Sequence, residues 1–172
     1  MADKKTILEE ARRARKVEED LPERSYKVLT FQLGKGLFGV EVRYVERVVR
    51  IKELKLAEVP GVPEYIVGVT TVGGEIVPVV DLGMVLGLRE EGSEEGPCLL
   101  MVRHGGQVLG FRVDSVEEIL DLPERAVDPP AALLGKVPEE FLKGEVQVGE
   151  GYLALLDMEG LMRSEALRTS EG

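Results

Sequence analysis

The stretches Gly68 to Leu82, GVTTVGGEIVPVVDL, and Gly144 to Met158, GEVQVGEGYLALLDM, are two versions of one phrase. At an ungapped offset of 76, Gly68 falls on Gly144, Val72 on Val148, Gly73 on Gly149, Val77 on Leu153, Val80 on Leu156 and Asp81 on Asp157. Each phrase reads as strand, tight turn, strand. In the first, β-branched residues flank Gly73-Gly74, which supplies the positive φ of a two-residue hairpin. A second echo precedes it: LFGVEVRYVERVVRI, from Leu37, lies over VLGFRVDSVEEILDL, from Val108, at an offset of 71. Pro63-Glu64-Tyr65-Ile66 has its counterpart in Pro138 to Leu142, and the Pro-rich span from Pro123 to Pro138 absorbs the change of offset. A chain that repeats itself in this way is built from two copies of one supersecondary unit.

The unit can be read in order. Tyr26 to Leu33 alternates as a strand does, Gly34-Lys35-Gly36 turns, and Leu37 to Glu41 returns. Val42, Val45 and Val49 then stand at helical spacing with charges between them, which predicts a short amphipathic helix. Val113, Val116 and Leu120 predict its twin. Leu54 to Val59 reads as a short strand before the repeated hairpin, and Asp81 is placed to cap a short helix over Leu82 to Leu86. Five short strands per half cannot form an open sheet without exposed edges. Closing each half's set into a small barrel removes the edges. The fold class expected is therefore mainly β, two five-stranded barrels with short helices. The acidic stretch Arg89 to Gly96 is the expected boundary between the halves.

Residues 3–24 are different in kind, with 14 of 22 residues charged. Ile7, Ala11, Ala14 and Leu21 share a helical stripe, Thr6 and Glu9 have capping-box spacing, and Pro22 ends the pattern. This predicts a solvated helix or tail ahead of the barrels. The N-terminus lacks an apolar signal core and no apolar run reaches the roughly 20 residues needed to span a bilayer, so the expected location is cytoplasmic.

Composition removes several function classes. A net charge of −10 argues against a protein that tracks a nucleic-acid backbone. The absence of Trp, with aromatics at 5%, argues against base-stacking platforms. One His and one Cys cannot make a zinc site, and a single Cys cannot make an internal disulfide. GKGLFG, Gly34 to Gly39, matches a dinucleotide fingerprint in letters only. Strand alternation resumes at Leu37 where that motif needs a helix to open, so a hairpin turn and a close packing position account for the glycines. His104 lies in a turn with no nucleophile motif, Cys98 opens an apolar run, and Asp81 and Asp157 occupy equivalent capping positions. No pattern in the sequence points to catalysis, metal or cofactor. What remains is surface for binding other proteins.

Three stretches resemble one family. Ile66 to Leu82, IVGVTTVGGEIVPVVDL, is similar to the signature hairpin of CheW-type chemotaxis coupling proteins. So are F-x-L-x-x-x-x-F-G-V-E-V-x-x-V, Phe31 to Val45, and V-P-x-x-P-E-Y-I-x-G, Val59 to Gly68. The resemblance covers about residues 26–165. It implies two SH3-like barrels, about 26–90 and about 97–165, between an N-terminal helix or tail at 1–25 and a C-terminal tail at 166–172. It implies a non-catalytic adaptor without cofactor, whose partners are the cytoplasmic tip of chemoreceptors and the regulatory domain of a CheA-type histidine kinase. Carried onto this chain, the implied partner contacts are Val45, Arg47 and Val48 on the first short helix, and Gly68, Gly73 and Gly74 at the hairpin. In the second half they are Cys98, Gly110, Val116 and Ile119. One departure stands out: the family's Asn-Leu-Arg-Gly turn is replaced by Thr71-Val72-Gly73-Gly74, with Gly73 in the place of the Arg. Two other readings compete with the chemotaxis adaptor. One is a scaffold of a non-flagellar chemosensory or other signalling assembly, the other a small-molecule-binding barrel using GKGLFG.

Overall fold

The computed structural model describes residues 7–8, 24–88, 96–130, 137–148 and 150–164. The first half contains β1 (Ser25–Leu33), β2 (Gly36–Glu41), β3 (Val45–Arg50), β4 (Ile66–Val72) and β5 (Glu75–Asp81), then a helical turn at Leu82–Val85. The second half contains β6 (Cys98–His104), β7 (Gln107–Val113), β8 (Ser115–Pro123), β9 (Leu142–Val148) and β10 (Gly151–Leu156), then a short helix at Met158–Arg163. As the repeat requires, β1 to β5 correspond in order to β6 to β10. The capping expectation is met twice. The Asp81 carboxylate accepts from the Met84 amide at 3.2 Å and the Asp157 carboxylate from the Gly160 amide at 3.0 Å.

The halves do not each close their own sheet. One five-stranded sheet has the order β8-β1-β2-β10-β9 and the other β3-β6-β7-β5-β4. The opening hairpin of each half has been exchanged into the sheet of the other. Its second strand pairs parallel with the last strand of its host, β2 with β10 and β7 with β5, while every other pair is antiparallel. The expectation of one barrel per contiguous half is thereby corrected. The chain crosses between sheets after Glu41 and again at Asp114, whose carboxylate accepts from the Gly34 amide at 2.6 Å.

Each sheet curls into a barrel, and the seams are equivalent. After β3 a 3-10 turn at Ile51–Glu53 leads to Ala57, which exchanges two backbone hydrogen bonds with Val69 at 2.8 and 2.9 Å. After β8 a 3-10 turn at Glu124–Ala126 leads to Asp128, which makes the same pair with Glu145 at 2.8 and 2.9 Å. The strand expected over Leu54 to Val59 is thus reduced to a single closing bridge. The repeated glycines stand at these seams. A Cβ on Gly68 would lie 2.6 Å from the Ala57 carbonyl oxygen, and one on Gly144 would lie 2.6 Å from that of Asp128.

The two predicted amphipathic helices are also corrected. Val42–Tyr44 is one 3-10 turn, and the residues that follow form strand β3; their counterparts form β8. The expected stripe is split between the two faces of the strand, Val45 lying opposite Val102 and Val49 opposite Leu99, and a bulge sets the phase. Val45 and Val48, three residues apart, sit opposite Val102 and Leu100, two apart. Val116 and Ile119 likewise sit opposite Phe31 and Leu29. A bulge puts i and i+3 on one face of a strand, as a helix does. With Val at three of six positions β3 is a poor helix former, and β6 offers it a ladder.

Three cores follow from alternation. Leu99, Met101, Val77 and Val79 point into the second barrel; Leu153, Leu155 and Val146 point into the first. Their neighbours Leu100, Val102, Val80, Ala154 and Leu156 face outward and meet Leu29, Phe31 and Phe38 in a larger core between the barrels. Strands buried on both faces explain runs such as CLLMV and LALL. Of the N-terminal segment, Ile7 and Leu8 are described. They are helical, Leu8 is buried in the core of the first barrel, and the Ile7 side chain covers Gly151. Those two residues pack on the body of the protein, and the rest of the predicted helix lies outside the described residues. The boundary stretch 89–95 lies outside them too.

Candidate protein-docking surfaces

Among the described residues, the exposed large apolar side chains are Val48 at 43%, Ile76 at 69%, Ile119 at 54% and Tyr152 at 43%. They form two repeat-equivalent pairs: Val48 with Ile119 at the offset of 71, and Ile76 with Tyr152 at the offset of 76. Each barrel therefore exposes one apolar side chain on the strand that leads to its seam and one on its final strand. Two copies of the unit have left the same two positions uncovered. Scattered apolar exposure needs no explanation, but exposure that recurs at equivalent sites of a repeat does.

On the second barrel the surface is built from β3 and the β4–β5 hairpin. Val45 is half-buried against the inter-barrel core, and Val48, on the same outer face, is exposed. Ile76 projects from the outer face of β5 because its neighbour Val77 points inward. The hairpin tip is Gly73-Gly74, with φ of 58° and 83°. Arg47 reaches it: a Cβ on Gly73 would lie 3.9 Å from Arg47 Nη2. Arg103 ties the surrounding strands together. Its guanidinium donates to Glu46 on β3 at 3.2 Å and to Glu75 on β5 at 2.5 Å, and these bonds, Glu75 first, hold its pKa above the ordinary value. On the first barrel, Val116 is half-buried against the inter-barrel core and Ile119 is exposed beside it on the outer face of β8.

The structure thus divides the sequence-predicted contact residues. Val45, Arg47, Val48, Gly73 and Gly74 come together at one end of the second barrel, and Val116 with Ile119 lies on the first. Cys98, first residue of β6, is half-buried opposite Arg50. Gly68 and Gly110 are not surface. Gly68 admits the closing chain, and a Cβ on Gly110 would meet Leu99 Cδ1 at 2.7 Å. Ile76 and Tyr152 were missed. An apolar residue out of phase with an otherwise inward alternation was the signal available for both.

The other candidates settle into structural places. In GKGLFG, Gly34 turns the β1–β2 hairpin with φ 57°, and a Cβ on Gly39 would lie 2.4 Å from Val28 Cγ1. His104 ends β6 rather than lying in a turn. It stands edge-on to Tyr44 at 5.4 Å, with Nε2 3.9 Å from the Glu159 carboxylate. Burial pushes the Tyr44 phenol up, against the pull of Arg43 stacked on its ring at 4.6 Å. Among the described residues no group of three or more His, Cys, Asp or Glu side chains is placed to hold a metal ion. No helix among them is long and apolar enough to cross a membrane.

Comparison with known proteins places this architecture. The family model described as CheW-like domain matches residues 27–166. A "Chemotaxis protein CheW" from Treponema pallidum is 27% identical over 162 residues, covering 90% of this chain and 92% of that protein. Another from Klebsiella aerogenes is 28% identical over 139 residues, covering 81% and 82%. Among solved structures, the scaffolding protein TtCheW from Thermoanaerobacter tengcongensis superposes with a TM-score of 0.70 over 83% of this chain and 96% of that one. At 24% identity, this likeness concerns the fold.

Proposed function

This chain belongs to the CheW-like domain family, and we propose that it is a non-catalytic signalling adaptor coupling chemoreceptors to a CheA-type histidine kinase in bacterial chemotaxis. The observation that carries the reading is the repeat-equivalent exposure of Val48 with Ile119 and of Ile76 with Tyr152. An adaptor must bind two partners at once, and a protein made of two like barrels has two like surfaces for the purpose. The kinase regulatory domain docks on the second barrel through Val45, Arg47, Val48, Ile76 and the Gly73-Gly74 tip. Val116 and Ile119 face the other partner. Gly68, Gly110 and Cys98 serve by shaping the barrel beneath. The site of action is the cytoplasmic face of the membrane, reached through receptors and not by insertion.

Gly73 favours a second reading within the same function. An arginine at a hairpin tip offers five donors, and each bond to a carboxylate contributes roughly 1.5–3 kcal/mol. Without one, the affinity for receptor or kinase is altered, as suits a non-flagellar chemosensory assembly. Calorimetric titration against the regulatory domain of a CheA-type kinase from the same organism tests the proposal. Saturable one-to-one binding that Val48→Glu weakens is expected. No heat and no complex at tens of micromolar, with the protein shown to be folded, would refute it.

A further inference from the structure

The two barrels fill the same mouth differently. In the first, Leu8 is only 6% exposed and joins the core that holds Val28, Leu37, Val148 and Leu153, with Ile7 packed against it. Both residues come from outside the repeat. The barrel wall is cut back to receive them: a Cβ on Gly151 would lie 2.8 Å from Ile7 Cδ1 and 3.4 Å from Ile7 Cγ1. Gly151 opens β10 and does not lie in the left-handed region, so no backbone demand accounts for its missing side chain. Its equivalent at the offset of 76 is Glu75, which keeps a side chain and accepts from Arg103. Among the described residues, no segment from outside the repeat joins the core of the second barrel. There the equivalents of covered residues stay open. Leu37 and Leu120 are buried, whereas Val108 and Val49, which fall on them at the offset of 71, are half-buried.

We infer that Ile7 and Leu8 are a removable plug. The mouth of the first barrel is a docking socket for a helix that presents two adjacent aliphatic side chains, and the chain's own N-terminal segment fills it until such a helix takes its place. Ile7 and Leu8 are helical where they dock, and the glycine opposite them gives the socket its shape. Residues 9–23, ten of them charged, separate Leu8 from Arg24 and offer few apolar side chains to bury. Fully extended, a tether of that length spans up to about 50 Å, so the plug can leave the socket and stay attached. While attached it competes at an effective concentration in the millimolar range, which sets the affinity that a partner helix must exceed. Gly151 directly precedes Tyr152, so the socket adjoins an apolar side chain that is already uncovered. The plug needs neither kinase nor receptor, so its failure and that of the adaptor proposal are separate events.

Fluorescence anisotropy of a labelled peptide with the sequence of residues 1–20, titrated with the full chain, reads the socket directly. The full chain carrying Ile7→Asp and Leu8→Asp, shown to be folded by circular dichroism, binds the peptide saturably. The wild type binds it about tenfold more weakly or less, because the tethered plug competes. Adding Gly151→Leu to the unplugged chain fills the socket and weakens binding about tenfold or more, and a peptide carrying the two Asp substitutions does not bind. Equal affinity for wild type and unplugged chain, no binding to the folded unplugged chain up to about 1 mM, or indifference to Gly151→Leu would each overturn the inference. Thiol labelling tests removal without unplugging the chain. With Leu8→Cys and Cys98→Ser together, the thiol is modified about tenfold or more faster than the same protein unfolds in water, because the plug opens locally. A labelling rate no faster than global unfolding would mean that the segment leaves only when the barrel does, and would overturn the inference.

Discussion

Replacing Gly68 with Ala places a methyl group 2.6 Å from the Ala57 carbonyl oxygen and 3.2 Å from its carbon, so the backbone that closes the second barrel must move. That backbone is held to β4 by two hydrogen bonds, 2.8 and 2.9 Å, between Ala57 and Val69. At about 1 kcal/mol net for each bond, losing both costs about 2 kcal/mol. Forcing a methyl into a filled site costs about 1–3 kcal/mol more. The expected loss is thus about 3–5 kcal/mol, read as a lower urea midpoint by far-UV circular dichroism. Gly144→Ala meets the Asp128 carbonyl at the same 2.6 Å and behaves alike. Gly74→Ala is the control. Nothing lies within 4 Å of its Cβ, and its φ of 83° limits the effect to roughly 1 kcal/mol. A Gly68→Ala protein within about 0.5 kcal/mol of wild type, at unchanged denaturant slope, would refute the argument that this glycine serves closure.

Asp81→Ala and Asp157→Ala each remove a carboxylate that accepts a helix N-terminal amide, and each should cost about 1 kcal/mol in chemical denaturation. Leu8→Ala empties a buried position in the core of the first barrel and should lower stability by about 2–3 kcal/mol; no change would mean the segment does not pack there. Gly73→Arg forces a side chain onto a φ of 58° beside the Arg47 guanidinium, so stability should fall by about 1 kcal/mol or more. The same variant should change affinity for the kinase or receptor domain in calorimetry; affinity equal to wild type within error would remove Gly73 from any role in tuning partners.

The local grammar of the chain was legible. The hairpin at Gly73-Gly74, the turn at Gly34 and the capping by Asp81 and Asp157 all rest on neighbouring residues, and the structure holds each of them, whereas the third strand lies at Val45–Arg50, where a helix was expected, and not at Leu54 to Val59. The exchange of hairpins was not legible, and the repeat itself explains why. β1 and β6 carry equivalent patterns, so nothing local tells β1 whether to pair along β3 or along β8. The shared core, in which Phe31 and Phe111 both lie, rewards the crossed arrangement only once both halves are present. The helical stripe at Val42, Val45 and Val49 misled because Val42 lies in a 3-10 turn while Val45 and Val49 sit on opposite faces of a strand packed on both. For the candidate surface, Val48, expected on a short helix, and Ile119 are exposed on strands, whereas Gly68 and Gly110 were named as contacts and are packed. A glycine in a motif reports a close approach, and only the structure tells whether it is to a partner or to the protein's own backbone.

Coupling is the central claim, and binding to one partner does not establish it. The direct measurement is kinase autophosphorylation in a mixture of a CheA-type kinase, a receptor signalling domain and this protein, with each component omitted in turn. The account predicts that receptor control of the kinase appears only when all three are present, and that Val48→Glu abolishes it while leaving the kinase's own basal activity intact. Receptor control that is unchanged when this protein is left out, or absent when folded wild-type protein is added in excess, would contradict it.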